Sequence, residues 1–277
     1  MTGRRAVVLG GGGVTGVAWE TGLLLGLERH GILLRTADLF VGTSAGSVVA
    51  AQIAGPTSLA DLYRAQTEGF AQEMPAKLGL PGILSLVVAL RGTRDERAAL
   101  AKVGARALRA TTPSETARRA VIEQRLPVHS WPAAALKLTA VDAVSGEFTV
   151  FDSSSGVSLV DAVGASCAVP MVFPPVTIGD RRYFDGGIRS VANVDLAAGC
   201  DRVIVIAPQT TALRPGRDPA SQLVALGPAA STLVAPDRAA SDAMGHNSLD
   251  PEMRSASAAA GLAQADRVAD RVAAAWG

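Results

Sequence analysis

Short apolar runs and helix-period stretches alternate along the first part of the chain. Residues 5–10, RAVVLG, are a β-branched run that ends in glycines, the pattern of a buried strand. From about Thr15 to His30 the apolar positions follow a helical period. Leu23, Leu24 and Leu27 share a face, and Gly31 is the stop. DLFVGT, residues 38–43, predicts a second strand. SAGSVVAAQIAG, residues 44–55, predicts the helix after it, ended by Gly55 and Pro56. Strand, helix, strand, helix in that order predicts a parallel sheet covered on both faces.

Beyond it, residues 58–125 are mostly helical in pattern and mixed in polarity, with Pro75, Pro81, Gly82 and Pro113 as punctuation. This segment reads as a helical insertion over the sheet, within a single domain of residues 1–277. Residues 135–143 and 146–152 are the next strands, with a tight turn at Ser145-Gly146. A short helix follows over 159–168, ended by Pro170. PVTIGDRRYFDGG, residues 175–187, predicts a hairpin with Gly179-Asp180 at its turn, running into Asp185-Gly186-Gly187. DRVIVIAP, residues 201–208, is another buried strand. Residues 210–249 are rich in Pro, Gly, Ser and Ala, and no regular element is predicted there. Asp250-Pro251 starts a last helix, residues 250–276, on which Val268, Val272 and Trp276 form a packing face.

Composition narrows the picture. Hydrophobic residues make up 48% and aromatics only 4%, so the core must be built from Ala, Val, Leu and Ile. A net charge of +1 with scattered arginines argues against nucleic-acid binding. Cys167 and Cys200 make neither a disulfide framework nor a zinc spacing, and Cys167 in GASCAVP reads as a small buried residue. MTGRRAVVLGGGG has no long apolar region or small-residue cleavage site, so no signal peptide is expected. GILSLVVAL, residues 82–90, is far short of the roughly 20 residues that span a bilayer. The expectation is a soluble, cytoplasmic chain.

Candidate chemistry sits at the strand ends. GGGGVTG, residues 10–16, places Gly11, Gly13 and Gly16 in a G-x-G-x-x-G pattern between strand and helix. A dinucleotide loop would need an acid at the far end of the second strand. Asp38 opens that strand instead, and no Lys-Ser or Lys-Thr follows Gly16 to make a phosphate loop. What remains is a row of bare amides at a helix N-terminus, an anion cradle or oxyanion hole. Gly42, Ser44 and Gly46 spell G-x-S-x-G, the nucleophile elbow. If the first two strands are neighbours, Ser44 faces the glycine amides. The base is open between His246, late in the chain, and Asp185, followed by two glycines. His30 closes the first helix at the opposite edge, and His129 lies in a loop.

Gly-Gly-Gly-x-x-Gly, then Gly-x-Ser-x-Gly, then Asp-Gly-Gly, with ASCAVPMVFPPV (residues 165–176) before the last, resembles the patatin-like phospholipase family. The likeness spans about residues 5–207. It implies a three-layer α/β/α sandwich with a mostly parallel sheet. It also implies a Ser44–Asp185 dyad that cleaves lipid acyl esters without histidine, metal or cofactor. Gly11, Gly12 and Gly13 would form the oxyanion hole, with Gly16, Gly42, Gly46, Gly186 and Gly187 as motif glycines. Thr15 stands where the family has Arg or Lys, which weakens the expected field on an oxyanion. Residues 78–90, LGLPGILSLVVAL, are a candidate wall or lid and a candidate for transient contact with a membrane surface. Two other classes stand beside this reading: a lipid-binding member with little turnover, and a dinucleotide-dependent oxidoreductase.

Overall fold

The computed structural model of the chain describes residues 3–68, 76, 79–227 and 230–277. The expected residues Pro75 and Leu78 lie outside the described ones. The strands are β1 (Arg5–Leu9), β2 (Leu39–Gly42), β3 (Ala135–Asp142), β4 (Phe148–Phe151), β5 (Val176–Ile178), β6 (Arg181–Asp185), β7 (Arg202–Ile206) and β8 (Ala230–Val234). They form one sheet in the order β5-β6-β3-β2-β1-β7-β8, with β4 paired to β3 off that path. β1, β2, β3, β7 and β8 pair in parallel, whereas β4, β5 and β6 pair antiparallel. The fold is therefore α/β, with a mixed and mostly parallel central sheet between helices.

Both faces of the central strands are dry, which is why those strands read as unbroken apolar runs. On β1, Val7 and Leu9 join one core, Ala6 and Val8 another, and all four are fully buried. The first core lies under α1 (Gly13–Arg29), α2 (Ala45–Ile53), α7 (Leu159–Ser166) and α10 (Arg254–Trp276). Helix α1 is buried at every position from Val14 to Leu27. It is walled by α10, α2 and α3 (Leu59–Thr67), and its sequence is apolar nearly all round to match. The second core is thinner. The 3-10 turn Val194–Ala197 and α8 (Pro219–Ala225) cover it, with Leu223 and Leu226 against it. A third cluster sits where α4 (Leu80–Arg91) and α5 (Glu96–Ala107) close over Val141 and Phe184. α6 (Glu115–Arg125) leans on α7. No described helix is long and apolar enough to cross a membrane.

The structure departs from the sequence pattern in three places. Helix α1 starts at Gly13, inside the glycine run, because bare glycines let the chain turn from strand to helix without a linker. Residues 210–249 hold α8, β8 and α9 (Arg238–Met244). Asp218 and Asp237 cap the two helices by accepting from Ser221 N and Ala240 N, both at 2.9 Å. The expected Asp250-Pro251 start opens a 3-10 turn, Pro251–Met253, before α10 proper.

Candidate active site

β1 and β2 lie side by side with Leu9 opposite Gly42, so the glycine loop and the elbow leave the sheet at one edge. Ser44 comes next, at φ 53° and ψ −119°, a conformation that residues with a Cβ rarely adopt. Several contacts hold it there. Ser44 N donates to Ser166 Oγ at 2.9 Å, and Gly46 N donates to the carbonyls of Gly10 and Thr43, each at 2.9 Å. Gly46 backs so closely onto the Leu9 carbonyl that any Cβ would strike it. Cys167 packs beneath, buried as expected, with Sγ 3.2 Å from the Ser44 carbonyl. Ser44 is only 8% exposed, and it lines a cavity.

Asp185 arrives by a different route. β3 runs past the end of β2: Leu138 pairs with Gly42, and the strand continues to Asp142. β4 takes one edge of this overhang, with Leu138 to Val141 in register with Phe151 to Phe148. Antiparallel β6 takes the other edge, the one β2 has vacated, and ends with Asp185 opposite Ala140. β2 and β6 therefore meet head to head along one edge of β3, with Thr139 facing the gap. Ser44 stands just past one strand end and Asp185 ends the other. Asp185 is 3% exposed, and its Oδ1 accepts from Gly187 N at 2.7 Å.

Asn193 bridges the gap. It is fully buried, in the left-handed region at φ 50°. Its Nδ2 donates to Thr43 Oγ1 at 3.0 Å, to the Ser190 carbonyl at 2.8 Å and to the Gly186 carbonyl at 3.3 Å. Thr139 Oγ1 donates to Thr43 Oγ1 at 3.0 Å. Arg189 Nη1 donates to Asn193 Oδ1 at 2.6 Å and is itself paired with Asp195. One amide thus ties the residue before Ser44 to the residue after Asp185. Gly42 and Gly186 back onto Ser47 and Thr139, and Gly187 onto Asp185 itself.

Burial dominates the electrostatics. Desolvation pushes the Asp185 pKa up to about 7, against the smaller opposing pull of the Ser44 hydroxyl, the Gly187 amide and the charge of Arg118. Arg118 and Arg125 project from α6 to line the same cleft as Ser44, the first with its guanidinium 3.7 Å from the Phe173 ring centre. Their seven-residue spacing around Val121 and Ile122 puts two arginines in an apolar stripe, a signal the sequence carried and motif reading passed over.

The glycine loop is not uniform. Gly11 N donates to the Val191 carbonyl at 2.6 Å, so that amide is already engaged. Gly12 and Gly13 head α1, where the first amides have no acceptor within the helix. Gly13 sits at φ +62° with its Cα against the Ser248 carbonyl, which only glycine tolerates. Gly16 packs on Pro208 and Ala45. Thr15 is fully buried, and its amide donates to the Ser248 carbonyl at 3.1 Å. The segment expected to lack structure thus returns to cover the loop.

Ser44, Asp185, Gly11, Gly12 and Gly13 come together on one cavity of about 540 Å³, within the usual size of ligand sites. Leu86, Val169, Ile188, Leu213 and Leu249 supply apolar wall, and Gln209, Thr211 and Ser248 supply polar wall. The histidines are elsewhere. His30 contacts Asp266 at 2.8 Å, His129 contacts the Glu123 carbonyl at 3.0 Å, and His246 is exposed. Asp38 stays at the start of β2, accepting from Arg5 N at 2.8 Å, away from the glycine loop. Among the described residues no cluster of side chains could hold a metal ion.

An α/β sheet with an elbow serine, a glycine loop and a buried aspartate on one edge defines a class of protein, and comparison with known proteins gives its family. The patatin-like phospholipase model matches residues 7–198, and the chain belongs to that family. Its structure is similar to that of VipD from Legionella pneumophila, with a TM-score of 0.51 and 11% identity. That match covers 98% of this chain and 67% of VipD. The type III effector protein ExoU matches at a TM-score of 0.45 and 15% identity, over 100% of this chain and 54% of ExoU. The chain spans about half the length of ExoU. No curated protein matches it in a sequence search.

Proposed function

We propose that the chain is a serine lipid acyl hydrolase of the phospholipase A or esterase type, acting through Ser44 and Asp185. Ser44 Oγ attacks the ester carbonyl carbon while Asp185 accepts the hydroxyl proton. The proton passes to the leaving alcohol oxygen as the tetrahedral intermediate collapses to an acyl-enzyme. Water, deprotonated by the same carboxylate, then attacks the acyl carbon, and the proton returns to Ser44 as the acid leaves. The amides of Gly12 and Gly13 receive the oxyanion, each such donor being worth roughly 3 kcal/mol. The amide of Gly11, held by Val191, has the role of fixing the loop.

The observation that carries this reading is the buried aspartate beside a strained serine on one cavity. An ordinary carboxylate, with a pKa near about 3.9, is a weak base at neutral pH. At about 7, Asp185 is matched to the task. Helix α4 supports a lipid substrate. Leu86 faces the cavity, while Leu84 and Val88, a turn apart, are 64% and 56% exposed. In this reading they meet a lipid surface at the cavity mouth. A fluorophosphonate probe together with hydrolysis of acyl esters tests it. Labelling and turnover, both lost in Ser44→Ala, are expected.

Thr15 favours a second reading, a lipid-binding protein with little turnover, because no basic side chain stands beside the cradle at that position. Retained fatty acid without labelling or hydrolysis would decide for it.

A further inference from the structure

A second cavity, of about 310 Å³, opens between α6 and α7. Ile122, Val160, Gly164, Pro174 and Val176 give it hydrocarbon walls. Glu115, Arg119 and Asp161 at its rim are engaged by their neighbours. Glu115 accepts from Thr177 N at 2.6 Å and from Thr177 Oγ1 at 3.0 Å. Arg119 is paired with Asp161 and, at 3.2 Å, with Glu123. Asp161 also accepts from Ser158 Oγ at 2.6 Å. What remains for a ligand is mostly hydrocarbon wall, with Thr116 and Arg118 as the other lining.

Arg118 lines this cavity and also lines the narrow cleft at Ser44, which it shares with Val169, Phe173 and Leu249. That cleft in turn shares Ser44, Gly13, Val169 and Leu249 with the 540 Å³ cavity. Arg118, stacked on Phe173, is therefore a wall shared by the cleft at Ser44 and the cavity between α6 and α7. An arginine stem is itself hydrocarbon and can flank an alkyl chain while its head group stays on a polar or aromatic partner. The two spaces differ in kind. The larger carries Gln209, Thr211 and Ser248, and suits the alcohol part of an ester.

We propose that the cavity between α6 and α7 is a second hydrocarbon pocket, which takes the distal part of a long acyl chain whose ester lies at Ser44. This rests on the acyl-ester reading above. Gly164 is the place to test it. A Cβ there meets only Val176 Cγ2, at 3.6 Å, an ordinary contact. A larger side chain on α7 would therefore grow into the pocket, and replacing a helical glycine favours the helix.

The experiment compares kcat/KM for p-nitrophenyl palmitate and p-nitrophenyl butyrate in wild type and Gly164→Leu. The palmitoyl ester is expected to lose at least about tenfold, since each displaced methylene is worth roughly that much or more, and the butyryl ester less than about twofold. Equal losses on both esters, or no loss on either, overturn the pocket. If Gly164→Leu does not fold, Gly164→Ala replaces it, with a smaller loss confined to the palmitoyl ester. If wild type cleaves neither ester, the hydrolase reading fails and the pocket is judged separately, by binding of a fluorescent palmitate analogue to Ser44→Ala protein. Gly164→Leu must then weaken binding by about tenfold, and unchanged affinity overturns the pocket.

Discussion

The two strand ends that meet at the candidate site are held in different ways. At the end of β2, Ser44 is held in a strained backbone conformation by close contacts with β1 and by Ser166. At the end of β6, Asp185 has unremarkable backbone angles, and its raised pKa comes from being buried. The serine depends on a local turn, and the aspartate on the layers packed around it. Strain is stored in a few bonds, and the contacts that hold it can be displaced by one methyl group. Desolvation is spread over a shell of neighbours and is released by changing the charge itself.

Removing that charge should give the largest effect. Asp185→Asn keeps the shape and the acceptor for Gly187 N, and kcat is expected to fall by about a hundredfold or more, the usual worth of a general base. The same variant should gain stability. In the unfolded chain the carboxyl ionises near about 3.9. In the folded protein it stays protonated up to about 7. Between those values the unfolded state releases its proton first, so wild-type stability falls with rising pH and then levels off above about 7. Melting curves of wild type and Asn variant should coincide below pH 4 and separate steadily up to pH 7. A stable, fully active Asn variant would reduce Asp185 to a turn cap.

Breaking the other end calls for Gly46→Ala. The added methyl meets the Leu9 carbonyl, and a loss of roughly 3 kcal/mol in denaturant unfolding is expected, the upper range for overpacking. Asn193→Gly sharpens the comparison by cutting the link between the ends while keeping the left-handed backbone easy. Buried Thr43 and the Ser190 carbonyl lose a donor, which costs roughly 1–3 kcal/mol. If Asn193 positions the pair, kcat drops while KM holds; a purely structural role lowers only the melting temperature. The activity of wild type should rise with pH through about 7, following ionisation of Asp185. The smallest effect belongs to the histidines: His129→Ala and His246→Ala should each keep esterase activity within about twofold, because neither is part of the proton path proposed here. A thousandfold loss at either would mean a serine–histidine–aspartate triad.

Glu20 shows the same physics behind the glycine loop, where the Gly10 amide pulls against its burial. It lies fully buried on α1, its carboxylate oxygens have no hydrogen-bond partner among the described residues, and burial pushes its pKa well above the ordinary carboxylate range. The sequence pattern gave no hint of it, since one acid in an apolar helix reads as a solvent-facing position.

Sequence alone determined what depends on near neighbours. The apolar runs marked β1, β2 and β7, and the proline and glycine stops bounded their helices. The motifs picked out Ser44, the glycine loop and Asp185 as a set, because a sharp turn needs small residues at set spacings. Tertiary structure decided what depends on partners far along the chain. Residues 210–249 became regular only by pairing β8 with β7 and by laying Ser248 over the glycine loop. Val191, from a distant loop, engaged the Gly11 amide and left Gly12 and Gly13 as the proposed cradle. Asp185 reached Ser44 because β3 outruns β2 and an antiparallel strand fills the vacated edge. No local pattern encodes that register. It is set by which faces of several strands must be buried together, and burial is a property of the packed whole.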